Sequence, residues 1–320
     1  MGHQVKRNCS SGSRWQPGSA RPQAMCLRPI ARVALALALI TAVGACREAG
    51  LRRSEEVVVT ERPSPNYTVF VIEDGTGIRR LRFERHGVDQ SAVRLGDPDH
   101  LVFPYMRSLV AAFALRPEPQ SILVIGLGGG SFPMFARHHL PEARIDVAEL
   151  DPVVVEVAKR DMGFVEDAAI HVHVGDGRAF IESSERRWDV IVLDAYGMDN
   201  VPLALATRTF YEAVKRRLSP GGLVAANLWG DGANPRYRSM LRTFEAVFPE
   251  VHVIAPTGSE SRVVLALPEP QGIASADLVA RAKDLGTRWG LSFDLAAIIR
   301  RGHGLPGALP PGGAVIEDAP

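Results

Sequence analysis

The sequence has few cysteines, and they are confined to one end. Cys9, Cys26 and Cys46 all precede residue 47, so the rest of the chain has none. A disulfide framework, a CxxC redox pair and a thiolate zinc site are therefore excluded from the folded part, and we predict no metal. The apolar stretch Val33–Ala45 is shorter than the about 20 residues that an ordinary membrane-spanning helix needs.

The sequence also lacks an excess of charge of either sign. It has 37 Lys and Arg against 36 Asp and Glu, which gives a formal net charge of +1. Because binding to a phosphate backbone needs a basic surface, nucleic acid is not an expected partner. The chain of 320 residues is 46% hydrophobic and 23% charged, so it has enough apolar surface to fold as one large α/β domain or two small ones.

Residues 25–46 have the pattern of a secretory signal. Arg28 and Arg32 precede the apolar stretch, which ends in Val43-Gly44-Ala45-Cys46. This ending resembles the lipobox of bacterial lipoproteins, in which the cysteine is lipidated and becomes the new N-terminus. We therefore expect a membrane-associated lipoprotein with Cys46 as the lipidated residue. The alternative is an uncleaved anchor, which would allow the folded part to lie on the cytoplasmic face.

The segments next to this signal differ from it in composition. Residues 1–24 are rich in Arg, Ser, Gly and Pro, and we interpret them as a misassigned upstream start. Residues 47–63 are polar and charged, which predicts a tether. Residues 64–115 are predicted as a small β-rich unit, because two runs of β-branched and aromatic residues flank a glycine turn. The apolar spacing of Tyr105–Leu115 adds a helix at its end.

Short apolar runs alternate with helical segments over residues 116–268. This pattern predicts right-handed βαβ crossovers and a mostly parallel seven-stranded sheet, with the last strand antiparallel. The predicted strands are Ser121–Leu127, Ile145–Leu150, Ile170–Val174, Val190–Leu193, Gly222–Asn227, Val251–Ile254 and Arg262–Leu267. Residues 269–320 are predicted as a C-terminal helix over Ser275–Trp289 and a Gly/Pro-rich tail, of which residues 302–313 are expected to be loose.

A glycine-rich loop follows the first of these strands and opens a helix. Gly126, Gly128 and Gly130 allow a tight turn and let a ligand approach backbone N–H groups at the helix N-terminus. Glu149 ends the next strand, about 20 residues after Gly128, where a carboxylate can accept both hydroxyls of a ribose. The alternative is a tight turn beside a solvated strand end.

Two more acidic residues end the third and fourth strands. Asp176, followed by Gly177, offers an acceptor suited to an adenine amino group, and Asp194 ends the run Val190–Asp194. All of these groups meet at the carboxyl edge of the sheet, where open α/β sheets bind ligands. Asp176 can alternatively be an Asx-turn residue before Gly177, and Asp194 can alternatively cap the next helix. A nicotinamide site is the competing nucleotide reading, but the extra acidic residues favour an adenosyl-sulfonium ligand.

These motifs resemble the polyamine aminopropyltransferases, spermidine synthase and its relatives, which have the class I methyltransferase fold. That resemblance implies a Rossmann-like α/β domain in which Glu149 holds the ribose and Asp176 the adenine. It further implies that Asp194 orients and deprotonates the attacking amine. The implied substrate contacts are Gln90, Tyr67 and Tyr196. The motifs that carry the resemblance are Ser64-Pro65-Asn66-Tyr67, Gln90-Ser91, the glycine loop, Glu149-Leu150-Asp151-Pro152, Gly175-Asp176-Gly177, Asp194 and Leu218-Ser219-Pro220-Gly221-Gly222.

The resemblance also implies ligands. The co-substrate is decarboxylated S-adenosylmethionine or S-adenosylmethionine, the acceptor is a polyamine or another amine, and a homodimer is a further expectation. Two acidic positions of that family are glycines here, Gly129 and Gly197. Three hypotheses therefore stay open: aminopropyl transfer, methyl transfer from intact S-adenosylmethionine, and a membrane-tethered nucleoside-binding domain without catalysis. An outward-facing lipoprotein would also be separated from cofactors that are made in the cytoplasm.

Overall fold

A computed structural model describes residues 56–197, 200–304 and 312–319. The predicted signal segment and Cys46 lie outside these residues, as do residues 1–24. Among the described residues, none of the helices combines the length and the hydropathy needed to cross a bilayer.

The larger of two sheets contains the seven predicted strands. They are β5 (Ser121–Ile125), β6 (Arg144–Glu149), β7 (Ile170–Val174), β8 (Trp188–Leu193), β9 (Leu218–Trp229), β10 (Glu250–Ile254) and β11 (Ser261–Leu267). The sheet order is β10-β11-β9-β8-β5-β6-β7. Strands β5 to β9 pair in parallel, whereas β11 pairs antiparallel with β9 and β10. The reversal follows because only a short turn joins β10 to β11, and a parallel connection needs a longer crossover.

Helices cover both faces of this sheet. They are α1 (Pro104–Leu109), α2 (Ala111–Leu115), α3 (Ser131–His139), α4 (Pro152–Asp161), α5 (Gly177–Ser183), α6 (Arg208–Arg216), α7 (Tyr237–Val247), α8 (Ser275–Trp289) and α9 (Leu295–Gly302). Phe113 and Phe135 are fully buried in the apolar cluster of one face, and Phe210 and Phe244 in that of the other. Burial of both faces explains why the central strands are continuous apolar runs.

The smaller sheet is antiparallel and has four strands, two more than the hairpin that the sequence predicts. Its strands are β1 (Val57–Pro63), β2 (Thr68–Glu73), β3 (Ile78–Arg82) and β4 (Asp89–Arg94). The prediction of a tether over 47–63 is therefore wrong for Val57–Pro63. This run pairs with β2, and the Thr60 hydroxyl donates a hydrogen bond to Oδ2 of Asp161 at 2.9 Å. The sequence pattern did not indicate a strand here because the run contains charged residues. An edge strand tolerates such residues because one of its sides faces solvent.

Three further predictions need correction. The helix predicted over Tyr105–Leu115 is two short helices, α1 and α2, which lie in the same apolar cluster as β5 and so belong with the large sheet. A two-residue strand, β12 (His303–Gly304), adds an eighth member beside β10. The helix α9 was not predicted, although Asp294 caps it by accepting a hydrogen bond from Ala297 N at 2.8 Å.

The described end of the chain, residues 312–319, contacts three helices. Arg178 on α5 donates two hydrogen bonds to the carboxylate of Asp318, at 2.7 and 2.6 Å. The backbone N–H of Arg208 donates to the carbonyl of Ile316 at 2.8 Å, and Ile316 N–H donates to Oγ1 of Thr243 at 3.0 Å. Specific hydrogen bonds therefore hold this stretch, whereas most of the loose segment predicted over residues 302–313 lies outside the described residues.

Candidate active site

A cavity of about 400 Å³ lies at the carboxyl ends of β5, β6, β7 and β8. This is the edge at which open α/β sheets bind ligands. It brings together residues from four strands of the large sheet with residues of the small sheet. The sequence-predicted site residues that line it are Tyr67, Gln90, Gly126, Gly128, Glu149, Asp176, Gly177, Asp194 and Tyr196.

The glycine loop passes very close to the strand that carries Asp194. Gly126 has φ +97°, and a Cβ added there would lie 2.4 Å from the backbone oxygen of Asp194, so only glycine fits. Gly130 is not among the residues that line the cavity, and its contact with a ligand stays a prediction. It precedes α3 with φ +78°, and a Cβ there would lie 2.6 Å from the Phe164 ring. Glycine is therefore needed at this position because a side chain would clash with Phe164.

Both carboxylate oxygens of Glu149 accept backbone hydrogen bonds. Oε2 accepts from Leu127 N at 2.8 Å, and Oε1 accepts from Asp151 N at 3.0 Å. Burial raises the pKa of this carboxyl above its ordinary value, against the lowering effect of these N–H groups. Glu149 therefore fixes the glycine loop against the end of β6 while its side chain still lines the cavity.

Asp176 ends the turn after β7 and caps α5. Its Oδ1 accepts a hydrogen bond from Ala179 N at 2.8 Å, which makes Asp176 a helix-capping residue. The residue also lines the cavity, and its side chain is exposed. Gly177 permits close packing of the helix on the sheet, since a Cβ there would lie 2.6 Å from Cγ2 of Ile125.

Two side chains from different elements hold the carboxylate of Asp194. The Tyr105 hydroxyl donates to Oδ2 at 3.1 Å, and Nδ2 of Asn227 donates to Oδ1 at 2.9 Å. Burial raises the pKa of Asp194 to about 6, and these two hydrogen bonds limit the rise. A carboxylate with this pKa is ionised at neutral pH but basic enough to accept a proton, as a general base requires.

The small sheet and the segment after β8 supply the remaining walls. The rings of Tyr67 and Phe83 stack with their centroids 3.8 Å apart. Gln90 lines the cavity beside Ser91, whose buried Oγ has no hydrogen-bond partner among the described residues. Tyr196 presents its ring, because its hydroxyl already donates to the backbone oxygen of Asn227 at 3.0 Å.

The charge of the lining is of one sign. Four carboxylates line the cavity, those of Glu149, Asp151, Asp176 and Asp194, and none of the described lining residues is Lys, Arg or His. A cavity of this kind attracts cations and disfavours anions.

Comparison with known proteins identifies the family. The family model described as "Spermine/spermidine synthase domain" matches residues 103–253. The polyamine aminopropyltransferase of Vibrio vulnificus is 35% identical over 219 residues, which are 67% of this chain and 69% of the relative. The chain belongs to the spermine/spermidine synthase family.

Other relatives of this spermine/spermidine synthase family member include a methyltransferase. The human eEF1A lysine and N-terminal methyltransferase is 32% identical over 209 residues, which are 59% of this chain but 30% of that protein. A crystal structure of spermidine synthase in complex with the transition-state analogue AdoDATO superposes with a TM-score of 0.64 at 19% identity, over 78% of this chain and 85% of that one. The predicted Rossmann-like methyltransferase fold is confirmed.

The two departures from the family pattern have different surroundings. Gly129 is not among the residues that line the cavity, and a Cβ there would lie 2.6 Å from Cε of Met162. Gly197 lines the cavity, and the nearest atom to an added Cβ is the Asn200 oxygen at 3.6 Å. A side chain at 129 would therefore require Met162 to move, whereas at 197 no described residue comes closer to an added Cβ than this oxygen.

Three functional residues escaped the sequence analysis. Tyr105 and Asn227 hold Asp194 but are 89 and 33 residues from it in the chain, so no local spacing links them. Ser91 was noted within a motif but not assigned to the site. For Tyr105 the available signal was an aromatic residue with a hydroxyl at the start of the predicted helix Tyr105–Leu115.

Proposed function

We propose that this protein transfers the aminopropyl group of decarboxylated S-adenosylmethionine to an amine. The observation that carries the proposal is the charge of the cavity lining. The lining contains four carboxylates and, among its described residues, no basic side chain. Decarboxylated S-adenosylmethionine carries a sulfonium and an ammonium and no carboxylate, so its charge complements this lining. Intact S-adenosylmethionine would bring a carboxylate into an acidic cavity without a cationic partner.

The reaction needs one proton acceptor, and Asp194 fits that requirement. The nitrogen lone pair of the amine attacks the propyl carbon bonded to sulfur. The carbon–sulfur bond breaks, its electron pair remains on sulfur, and neutral methylthioadenosine leaves. The amine proton moves to the carboxylate of Asp194, which Tyr105 and Asn227 hold in place.

Methyl transfer is the second candidate, because one observation favours it. The family's two additional acidic positions are Gly129 and Gly197, which removes carboxylates that would bind a diammonium acceptor. The loss of these carboxylates favours an acceptor with fewer positive charges. It also lessens the repulsion of intact S-adenosylmethionine, which has its own carboxylate.

Product analysis separates these functions. The purified protein should be incubated with each sulfonium donor and a panel of polyamines, while methylthioadenosine and S-adenosylhomocysteine are quantified. We expect methylthioadenosine to form only when decarboxylated donor and amine are both present. Release of S-adenosylhomocysteine instead would establish methyl transfer. No product from any pairing would leave a nucleoside-binding domain and contradict the proposal.

The pH dependence of turnover should report the environment of Asp194. Because a general base must be ionised, the rate should fall as pH drops through about 6. Tyr105→Phe removes a hydrogen bond that lowers this pKa, so the acidic limb should move to higher pH. We expect a rate at pH 6 that is lower by roughly threefold to tenfold and little change at pH 9.

The control for Tyr105→Phe is a second substitution that removes one tyrosine hydroxyl elsewhere in the protein. Tyr237 is buried on α7 and does not line the cavity, so Tyr237→Phe should leave the pH profile unchanged. An equal loss of rate at every pH in Tyr105→Phe would contradict an effect on the pKa of Asp194.

We also propose that Cys46 carries a lipid that tethers the protein to a membrane. The support is sequence alone: Arg28 and Arg32, an apolar stretch and the ending Val43-Gly44-Ala45-Cys46. Radiolabelled palmitate should enter the wild-type protein in the bacterium and not the Cys46→Ser variant. Equal labelling of the two would refute the proposal.

A further inference from the structure

Three metal-ligating side chains meet outside the active-site cavity. Asp99 lies in the turn between β4 and α1, and His138 and His139 end α3. One ligand atom from each residue lies within 4.8 Å of the other two. Nε2 of His139 is 2.6 Å from Oδ1 of Asp99, and Nε2 of His138 is 3.4 Å from Oδ2 of the same carboxylate.

The shortest of these contacts does not satisfy either atom. Oδ1 of Asp99 and Nε2 of His139 are both buried, they are not aligned as a hydrogen bond requires, and no other described residue bonds to them. The side chain of His139 is only 6% exposed, so bulk water does not supply the missing partner. Unpartnered buried polar atoms are costly, and a bound cation is one of the few ways to satisfy a nitrogen and an oxygen together.

The surroundings suit a cation. His138 and His139 form the last turn of α3, where the helix dipole places partial negative charge. His138 is 52% exposed, which leaves a route from solvent to the cluster. Trp289 on α8 stacks on the His139 ring with centroids 4.6 Å apart and holds it in place.

We propose that Asp99, His138 and His139 bind one zinc ion. Two imidazole nitrogens and one carboxylate oxygen are a donor set that zinc takes, whereas magnesium and calcium prefer oxygen alone. The ion connects the end of α3 to the turn between β4 and α1. The helix α3 begins at the glycine loop, and β4 and α1 carry Gln90 and Tyr105. Binding of the ion therefore stabilises the junction between α3 and the segment from β4 to α1 without being part of the reaction.

Isothermal titration with zinc chloride tests the site in the full-length protein without a histidine tag. Cys9, Cys26 and Cys46 are replaced by serine in every sample, so that thiolates do not compete for the metal. We expect one ion per chain at this site and a rise in the melting temperature. His138→Ala and Asp99→Asn should each weaken binding at least tenfold. His86→Ala, which removes an exposed histidine of the β3–β4 turn, should not.

Tryptophan fluorescence locates the ion independently. Nickel binds imidazole and quenches a nearby indole, so its addition should quench Trp289 in the wild type but not in His138→Ala. Trp289→Phe should lose the quenching and keep zinc binding. The proposal is overturned if the wild type binds no zinc in the micromolar range, or if both ligand variants bind as tightly as the His86→Ala control. Because His138 is half-exposed, its variant decides the outcome even if Asp99→Asn fails to fold.

Discussion

Asp194→Asn should lower turnover by roughly 10²–10⁴-fold while the affinity for methylthioadenosine changes little. The amide keeps the shape of the carboxylate but cannot accept the proton of the attacking amine. The substitution should not unfold the protein, because both partners can adapt. The Tyr105 hydroxyl can rotate to accept a hydrogen bond, and Asn227 can turn its Oδ1, which has no partner among the described residues, towards the new N–H group.

The measurement is steady-state release of methylthioadenosine, with binding of the same product followed by calorimetry. Asp284→Asn, an exposed aspartate on α8, is the matched control and should keep the wild-type rate. Equal rates in Asp194→Asn and the wild type would remove Asp194 from the mechanism. A loss of product affinity as large as the loss of rate would show a binding effect and not a chemical one.

Glu149→Gln should weaken binding of methylthioadenosine by about 1–3 kcal/mol, because it removes charge-assisted hydrogen bonds to the ribose. The structure shows a second reason why this substitution should weaken binding. Both carboxylate oxygens accept backbone N–H groups, so the glutamine amide must point a donor at the N–H of Leu127 or Asp151. The glycine loop is then held less firmly against the ligand.

Calorimetric titration of wild type and variant with methylthioadenosine measures this effect. Glu156→Gln, on the exposed side of α4, is the control and should bind as the wild type does. The melting temperature of Glu149→Gln shows whether the loop or the whole domain has changed. An unchanged affinity would contradict the assignment of Glu149 to the ribose.

The parts of the fold predicted correctly share a simple local cause. Buried parallel strands are short apolar runs bounded by turn residues, so β5, β7 and β11 lie within about two residues of their predicted limits. The strand β1 was missed because its second half contains Glu61, Arg62 and Pro63 and because it is stabilised by pairing with β2, which no local pattern reveals. The break at Val110 between α1 and α2 likewise depends on packing under the large sheet.

The site residues also divide into those that a local sequence pattern predicts and those that depend on contacts between distant elements. Glu149, Asp176 and Asp194 were predicted because each ends a strand, and strand ends of a parallel sheet share one edge. Tyr105 and Asn227 were not, because their function consists of reaching Asp194 from other elements. Gly130 was predicted from the loop pattern, in which a glycine can be required by a neighbour such as Phe164 as well as by a substrate.

The acidic lining of the cavity also determines which adenosine compounds are kept out. Free nucleotides such as ATP and the nicotinamide dinucleotides share the adenosine group that a ribose- and adenine-binding edge recognises. Their phosphates would enter among Glu149, Asp151, Asp176 and Asp194 without a cationic side chain from the described lining to receive them. Discrimination against these compounds therefore does not need a dedicated rejecting residue. It results from repulsion that is already built into the walls.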